Sequence, residues 1–154
     1  AGVIQFIMNK YGISIDEMLN ILNKKSGVLG ISGVGSDFRD LEKAAKEGNK
    51  RAQLALDKFA YEVRKYIGSY AAAMGGVDII TFTAGVGENG PDMRESICEG
   101  LGFLGVHVDH EKNQVRGKET DISAADSTVK VYVIPTNEEL MIAQDTAALV
   151  NAAK

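Results

Sequence analysis

A few short stretches carry the residue types that chemistry needs. The first is Gly85-Val86-Gly87-Glu88-Asn89-Gly90, which fits G-x-G-x-x-G. Glycines so spaced let a backbone approach a ligand closely, and a following helix offers unpaired N–H groups to an anion. A phosphate or nucleotide loop is one reading; a tight strand-to-helix turn with no ligand is the other. Asp109 lies roughly 20 residues on, the spacing of the acid in the dinucleotide fingerprint.

The second stretch is Ser36-Asp37-Phe38-Arg39-Asp40. Phe38 and Arg39 offer planar surfaces that can flank a purine ring. The same residues also read as a helix start, with Asp40 as the cap and Phe38 as a hydrophobic staple. The third is Thr136-Asn137-Glu138-Glu139, just past an apolar run, where open α/β sheets bind ligands. A carboxylate there can hold Mg2+ directly or through water. Alternatively, Thr136 or Asn137 caps a helix whose dipole the glutamates complement. Glu139 is assigned only that helix task. His107 and His110 flank Asp109, but no third ligand lies near in sequence, so surface histidines are the simpler reading than a metal site. Cys98 reads as a small, partly buried helix residue. Lys43, Lys46, Lys50 and Arg51 alternate with Glu42 and Glu47 and read as a solvated face.

The elements that must position these residues follow from periodicity and caps. Val3, Ile4, Ile7 and Met8 form one helical stripe, and Gly12 can end that helix. Ser14 reads as an N-cap with Asp16 and Glu17 at the positive helix end, and Ile15, Met18, Leu19 and Leu22 are expected to form a buried stripe. Residues 26–36 read as a glycine-rich irregular loop. A short helix over 40–46 follows, and Gly48-Asn49 caps the next. The longest helix is expected over 50–74, with Leu56, Phe59, Ala60, Val63, Ile67, Tyr70, Ala71 and Met74 on its apolar face and Gly75-Gly76 ending it. A strand over 79–83 runs into the glycine stretch. A helix over 91–101 turns Met93, Ile97 and Leu101 inward. A short strand over 106–108, a weak one near Val115, a buried one over 129–134 and a last helix over 138–150 complete the pattern. Helices followed by strand–helix–strand pieces make an α/β class with a helical first half.

Composition bounds the function. With 154 residues, one domain is expected. The net charge of −4 argues against bulk nucleic-acid binding, which wants a basic face. Cys98 is the only cysteine, which rules out an intrachain disulfide and suits a reducing cytoplasm. No apolar run reaches membrane-spanning length, and no signal peptide is visible. The chain starts at Ala1 and runs at once into a helical pattern, so a piece of a longer protein is expected.

Read together, LNKKSGVLGISG, SDFRDLEKAAKEGN, FTAGVGENGPDMR and VIPTNEELMIAQDT resemble the acetate kinase family in order and approximate spacing. The resemblance covers essentially the whole chain. It implies part of the C-terminal domain of the acetate and sugar kinase/actin-like ATPase fold, in which nucleotide binds between two related α/β domains. By this resemblance 1–154 is a single partial domain. Asp37, Phe38 and Arg39 match the family's adenosine-side loop. Gly85, Val86, Gly87, Glu88 and Asn89 match the glycine-rich loop that borders the ribose and α-phosphate. Glu138 matches a residue that helps position Mg2+, and Asp109 has no role. The implied reaction of the whole enzyme transfers the γ-phosphoryl group of ATP to acetate, reversibly, giving acetyl phosphate and ADP. A cytoplasmic homodimer acting on ATP/ADP and acetate, with neither nucleic acid nor membrane as partner, is implied. The N-terminal domain, the hairpin that cradles the β- and γ-phosphates, and the catalytic aspartate, histidine and arginines have no counterpart here. No catalytic residue is therefore expected in this chain, and the chain alone is expected to be inactive. A propionate or butyrate kinase fragment, or a non-catalytic nucleotide-binding module, are the alternatives.

Overall fold

A computed structural model describes residues 2–153. They fall into two compact units, one ending at Val63 and the other starting at Arg64, partway along the longest helix. In the first unit α1 spans Gly2–Tyr11, α2 Ile15–Lys24, α3 Gly27–Ser32 and α4 Phe38–Lys46, and α5, Lys50–Met74, begins. Ser14 caps α2 as expected. Its hydroxyl accepts from the Glu17 N–H at 3.2 Å, and its own N–H donates to the Glu17 carboxylate at 2.8 Å. Asn49 caps α5 through Oδ1, which accepts from the N–H groups of Arg51 and Ala52.

Three expectations for this unit are corrected. The apolar stripe of α2 is helical but, apart from Met18, not buried, and that of α1 is likewise uncovered. Only Met18 is buried on α2 and none on α1, while Val3, Ile15, Leu19 and Leu22 are exposed. Periodicity fixes a helix face, but burying it needs a second surface to cover it. Residues 26–36 are not an irregular loop, because α3 forms there and ends at Gly33, whose φ of 70° is the left-handed cap conformation. The glycines that weaken α3 are offset from outside the helix. Arg51 donates Nε to the Ile31 carbonyl at 2.8 Å and Nη2 to the Gly30 carbonyl at 3.3 Å. Arg51 thus clamps α3 while staying on the exposed face expected of it. Finally, α4 is capped by Asp37, not Asp40. Met18, Leu41, Ala52, Ala55, Leu56 and Ala60 are the buried apolar residues of this unit.

In the second unit α5 ends at Met74, followed by Gly75 at φ 78° and Gly76 at φ 150°, backbone angles that favour glycine. Then come β1 (Ile79–Phe82), α6 (Ala84–Asn89), α7 (Pro91–Cys98), 3₁₀ turns at Gly102–Leu104 and Lys112–Gln114, β2 (Thr120–Asp121), β3 (Lys130–Val133) and α8 (Glu138–Ala152). The sheet order is β1-β3-β2. β1 and β3 are parallel, with Ile79 opposite Lys130 and Phe82 opposite Val133, and β2 is antiparallel to β3. The strand expected over 106–108 is only a bridge between Val108 and Ser123. The strand expected near Val115 is a 3₁₀ turn, and the edge strand lies at Thr120–Asp121. Side chains satisfy this polar stretch locally. Asp109 Oδ1 accepts the N–H groups of Glu111 and Lys112, and Asp121 Oδ1 accepts that of Ser123. α7 stops at Cys98, short of Leu101, yet Met93, Ile97 and Leu101 are buried as expected, packed in a core with Ile80, Phe82, Val106, Ile122, Val131 and Val133. No helix among the described residues is long and apolar enough to cross a membrane.

Candidate functional site

Parallel pairing decides the geometry of the second unit's candidate residues. Because β1 and β3 run the same way in register, their C-terminal ends share one sheet edge. The chain leaves β1 into the glycine stretch and leaves β3 into Thr136-Asn137-Glu138, so the two stretches emerge side by side. The Ile134 N–H donates to the Phe82 carbonyl at 2.9 Å, extending the pairing to that edge. This is where an open α/β sheet offers a ligand site.

The glycine stretch is not the open turn that its composition suggests. It is a six-residue helix, α6. Ala84 starts it at φ 58°, the one non-glycine residue at positive φ among the described residues. Such a backbone costs on the order of 1–3 kcal/mol and persists because its surroundings hold it. Gly87 is not in the left-handed region. A Cβ there would lie 3.3 Å from the carbonyl carbon of Phe82, so Gly87 lets α6 pack directly on the strand before it. Gly87→Val is expected to cost about 1–3 kcal/mol of stability by forcing α6 off β1. Thermal unfolding checks this, and an unchanged midpoint would show that α6 yields freely.

Arg94 holds the far end of α6. Nη1 donates to the carbonyls of Gly87 at 2.8 Å and Glu88 at 3.1 Å, and Nη2 donates to those of Asn113 and Val115. Nε donates to Asn113 Oδ1 at 2.8 Å. All five guanidinium N–H groups are thus used, on a side chain with 0% exposure. Burial pulls the Arg94 pKa down, and the nearby Arg116 charge adds to this. Asn113 is equally buried and donates Nδ2 to the Pro91 carbonyl at 2.9 Å. The Gly117 N–H reaches the Glu88 carbonyl at 3.2 Å, and the Arg116 guanidinium donates to the Asn89 carbonyl. Arginines at carbonyls of a helix C-terminus suit its dipole. Reading the sequence by motif missed this role. The available signal was spacing: Arg94 falls on the same stripe as Ile97, Cys98 and Leu101.

Glu88 reaches across the sheet edge. Its Oε1 accepts from the Thr136 N–H at 2.8 Å and from the Thr136 hydroxyl at 3.0 Å. The Thr136 N–H holds the Glu88 carboxyl below its ordinary pKa, helped by the Thr136 hydroxyl and the Ala84 backbone. Next in sequence, Asn137 Oδ1 caps α8 by accepting the Leu140 N–H at 3.1 Å. Glu138 is the first residue of α8, exposed, with no side-chain partner among the described residues. Asn89 is exposed and donates Nδ2 to the Gly85 carbonyl at 3.2 Å.

In the first unit, Arg39 and Asp37 form a two-pronged ion pair. Arg39 Nε lies 3.1 Å from Asp37 Oδ1 and Nη2 lies 2.6 Å from Oδ2. This pair pulls the Asp37 carboxyl down to about 2. The Phe38 ring meets Phe59 edge-on at 4.7 Å between centroids, so its packing is taken up by α5. The exposed Arg39 guanidinium is the stacking surface that remains open.

Other chemistry-bearing residues are occupied elsewhere. His107 Nδ1 lies 2.7 Å from Asp126, and His110 Nδ1 lies 2.9 Å from Glu95, which raises the His110 pKa. The histidines therefore face different carboxylates. Burial pushes the Cys98 thiol up to about 12, which makes it inert rather than reactive. A cavity of about 690 Å³ is bordered by Asp92, Glu95, Glu99 and His107, but by none of residues 85–89 and not by Glu138. Its acidic lining repels a phosphate tail.

Comparison with known proteins identifies the family of the chain. A family model described as the Acetokinase family matches residues 1–144. The acetate kinase of Treponema denticola is 70% identical over 149 residues, which is 97% of this chain and 38% of that protein. The crystal structure of Porphyromonas gingivalis acetate kinase superposes with a TM-score of 0.90 at 49% identity, over 97% of this chain and 38% of the other. A propionate kinase from Francisella tularensis superposes with a TM-score of 0.84 at 40% identity, over 93% of this chain and 36% of the other. The chain thus spans well under half the length of these relatives. Its α/β architecture is part of their actin-like ATPase fold. With the family model matched over residues 1–144 and the fold shared with a solved acetate kinase, the chain belongs to the acetokinase family.

Proposed function

We propose that this chain is the adenosine-side, Mg2+-supporting C-terminal part of an acetate kinase. The whole enzyme transfers the γ-phosphoryl group of ATP to acetate, reversibly, as a cytoplasmic homodimer. The observation that carries the reading is the shared sheet edge, where α6 and the start of α8 emerge from parallel neighbours and are joined by Glu88 and Thr136. Gly85, Val86, Gly87, Glu88 and Asn89 border the ribose and α-phosphate, and Asp37, Phe38 and Arg39 serve the adenosine end. Glu138 fits a Mg2+ role because its carboxylate is exposed and uncommitted at that edge. One carboxylate suffices, since Mg2+ keeps several waters and takes its other ligands from nucleotide phosphates. Bound there, Mg2+ would neutralise charge on the nucleotide phosphates as the γ-phosphoryl group is transferred. The residues of this chain bind and orient. The cationic clamp and the acceptor pocket belong to the rest of the enzyme, so the chain alone turns nothing over.

Calorimetry on the chain with AMP, ADP and ATP tests the reading. Weak binding with nearly equal affinity for the three is expected, because the contacts to the β- and γ-phosphates lie outside this chain. Each added phosphate is expected to gain less than about 1.4 kcal/mol, a factor of ten. A steep gain per phosphate would instead make α6 the phosphate cradle. The Francisella propionate kinase favours a second reading in which the acceptor is propionate. Competing acids assayed on the full-length enzyme separate the two.

A further inference from the structure

Glu88 belongs to the stretch read as nucleotide-binding, yet its carboxylate is spent on the protein itself. One oxygen takes both the N–H and the hydroxyl of Thr136, 48 residues away in sequence. Thr136 stands immediately before the cap Asn137 and two residues before Glu138. The two hydrogen bonds fix both the backbone and the side chain of Thr136, and so the direction in which the chain enters α8. The same C-terminal turn of α6 that carries Glu88 is gripped by Arg94, at the Gly87 and Glu88 carbonyls, and by Arg116, at that of Asn89. We propose that Glu88 is a positioning residue: it links α6 to the first turn of α8, so that a nucleotide seated on α6 fixes the placement of the Glu138 carboxylate. This rests on the reading of residues 85–89 as the nucleotide segment, and replaces direct nucleotide contact by Glu88 with a structural link.

The physical basis is a hydrogen-bonded connection between two elements that the β1–β3 pairing alone leaves free to hinge. Ordering one end lowers the entropy still to be lost at the other, which is coupling without a new contact. Glutamine at position 88 keeps an acceptor oxygen for Thr136, whereas alanine removes it. Thr136→Val removes the hydroxyl and keeps the N–H.

Backbone amide exchange over residues 136–140 in the full-length kinase tests the link, with and without saturating ADP, in wild type, Glu88→Gln, Glu88→Ala, Thr136→Val and the Glu88→Ala/Thr136→Val double variant. Calorimetry establishes saturation for each protein. ADP is expected to slow exchange in wild type about fivefold or more, the low end of ordinary coupling between sites. Glu88→Gln is expected to keep most of that protection, Thr136→Val to lose part and Glu88→Ala to lose all, with the double variant no worse than Glu88→Ala. Equal ADP protection of 136–140 in wild type and Glu88→Ala would overturn the inference, as would its absence in wild type that binds ADP. Additive losses in the double variant would do the same. If Glu88→Ala does not fold, unchanged protection in Thr136→Val overturns it. If wild type binds no ADP at all, the nucleotide reading itself fails, a result calorimetry shows before any exchange is measured.

Discussion

Glu138→Gln in the full-length enzyme is expected to lower kcat by about 10²- to 10³-fold, the cost typical of losing one preorganised charge stabiliser. The substitution keeps the size and hydrogen-bonding capacity of the side chain and removes only its charge. As a first-turn acid Glu138 gives α8 no more than about 0.3–1 kcal/mol, and Asn137 provides the cap independently. Unfolding should therefore be nearly unaffected while the Mg2+ requirement rises. Glu139→Gln is the control: it occupies the same first turn and the same dipole, and no Mg2+ role is proposed for it. Measuring kcat against Mg2+ for both variants decides the matter. Small, equal effects at the two positions would leave Glu138 as a helix residue and nothing more.

Arg94→Met is expected to destabilise the fold by about 3–5 kcal/mol, a large share of the stability of an ordinary domain. Methionine matches much of the buried length of arginine but donates nothing. The carbonyls of Gly87, Glu88, Asn113 and Val115 and the side-chain oxygen of Asn113 would each lose a partner. Some of these gain water or keep a second donor, as the Glu88 carbonyl keeps the Gly117 N–H, which is why the loss falls short of a full penalty for every acceptor. Arg94→Lys is expected to rescue little, since an ammonium on one stem cannot span acceptors spread from α6 to the 3₁₀ turn at Lys112–Gln114. Urea unfolding monitored by circular dichroism gives the loss. An Arg94→Met protein with the wild-type midpoint would mean that the guanidinium is dispensable to the fold.

Helix ends were the most legible part of the sequence. The Ser14 cap, the Asn49 cap and the glycine stop after Met74 stand where residue type placed them, and of the two candidates Thr136 and Asn137 it is Asn137 that caps α8. Each is a contact between residues at most five apart, so the chain encodes it locally. Glycine-rich stretches were the least legible. Both 27–32 and 84–89 are helices against propensity, because arginines distant in sequence, Arg51 in one case and Arg94 with Arg116 in the other, bind the carbonyls that such weak helices would leave open.

The motifs and their order determined the family and drew attention to residues 37–39, 85–89 and 138. They did not determine what those side chains touch. That Glu88 faces Thr136 and that Arg94 spends every N–H on carbonyls and an amide depend on tertiary contacts, the first of them made once β1 and β3 pair in parallel. A cap or a stripe is set by neighbours within a turn or two. A hydrogen bond across 48 residues exists only after the sheet has brought its two ends together.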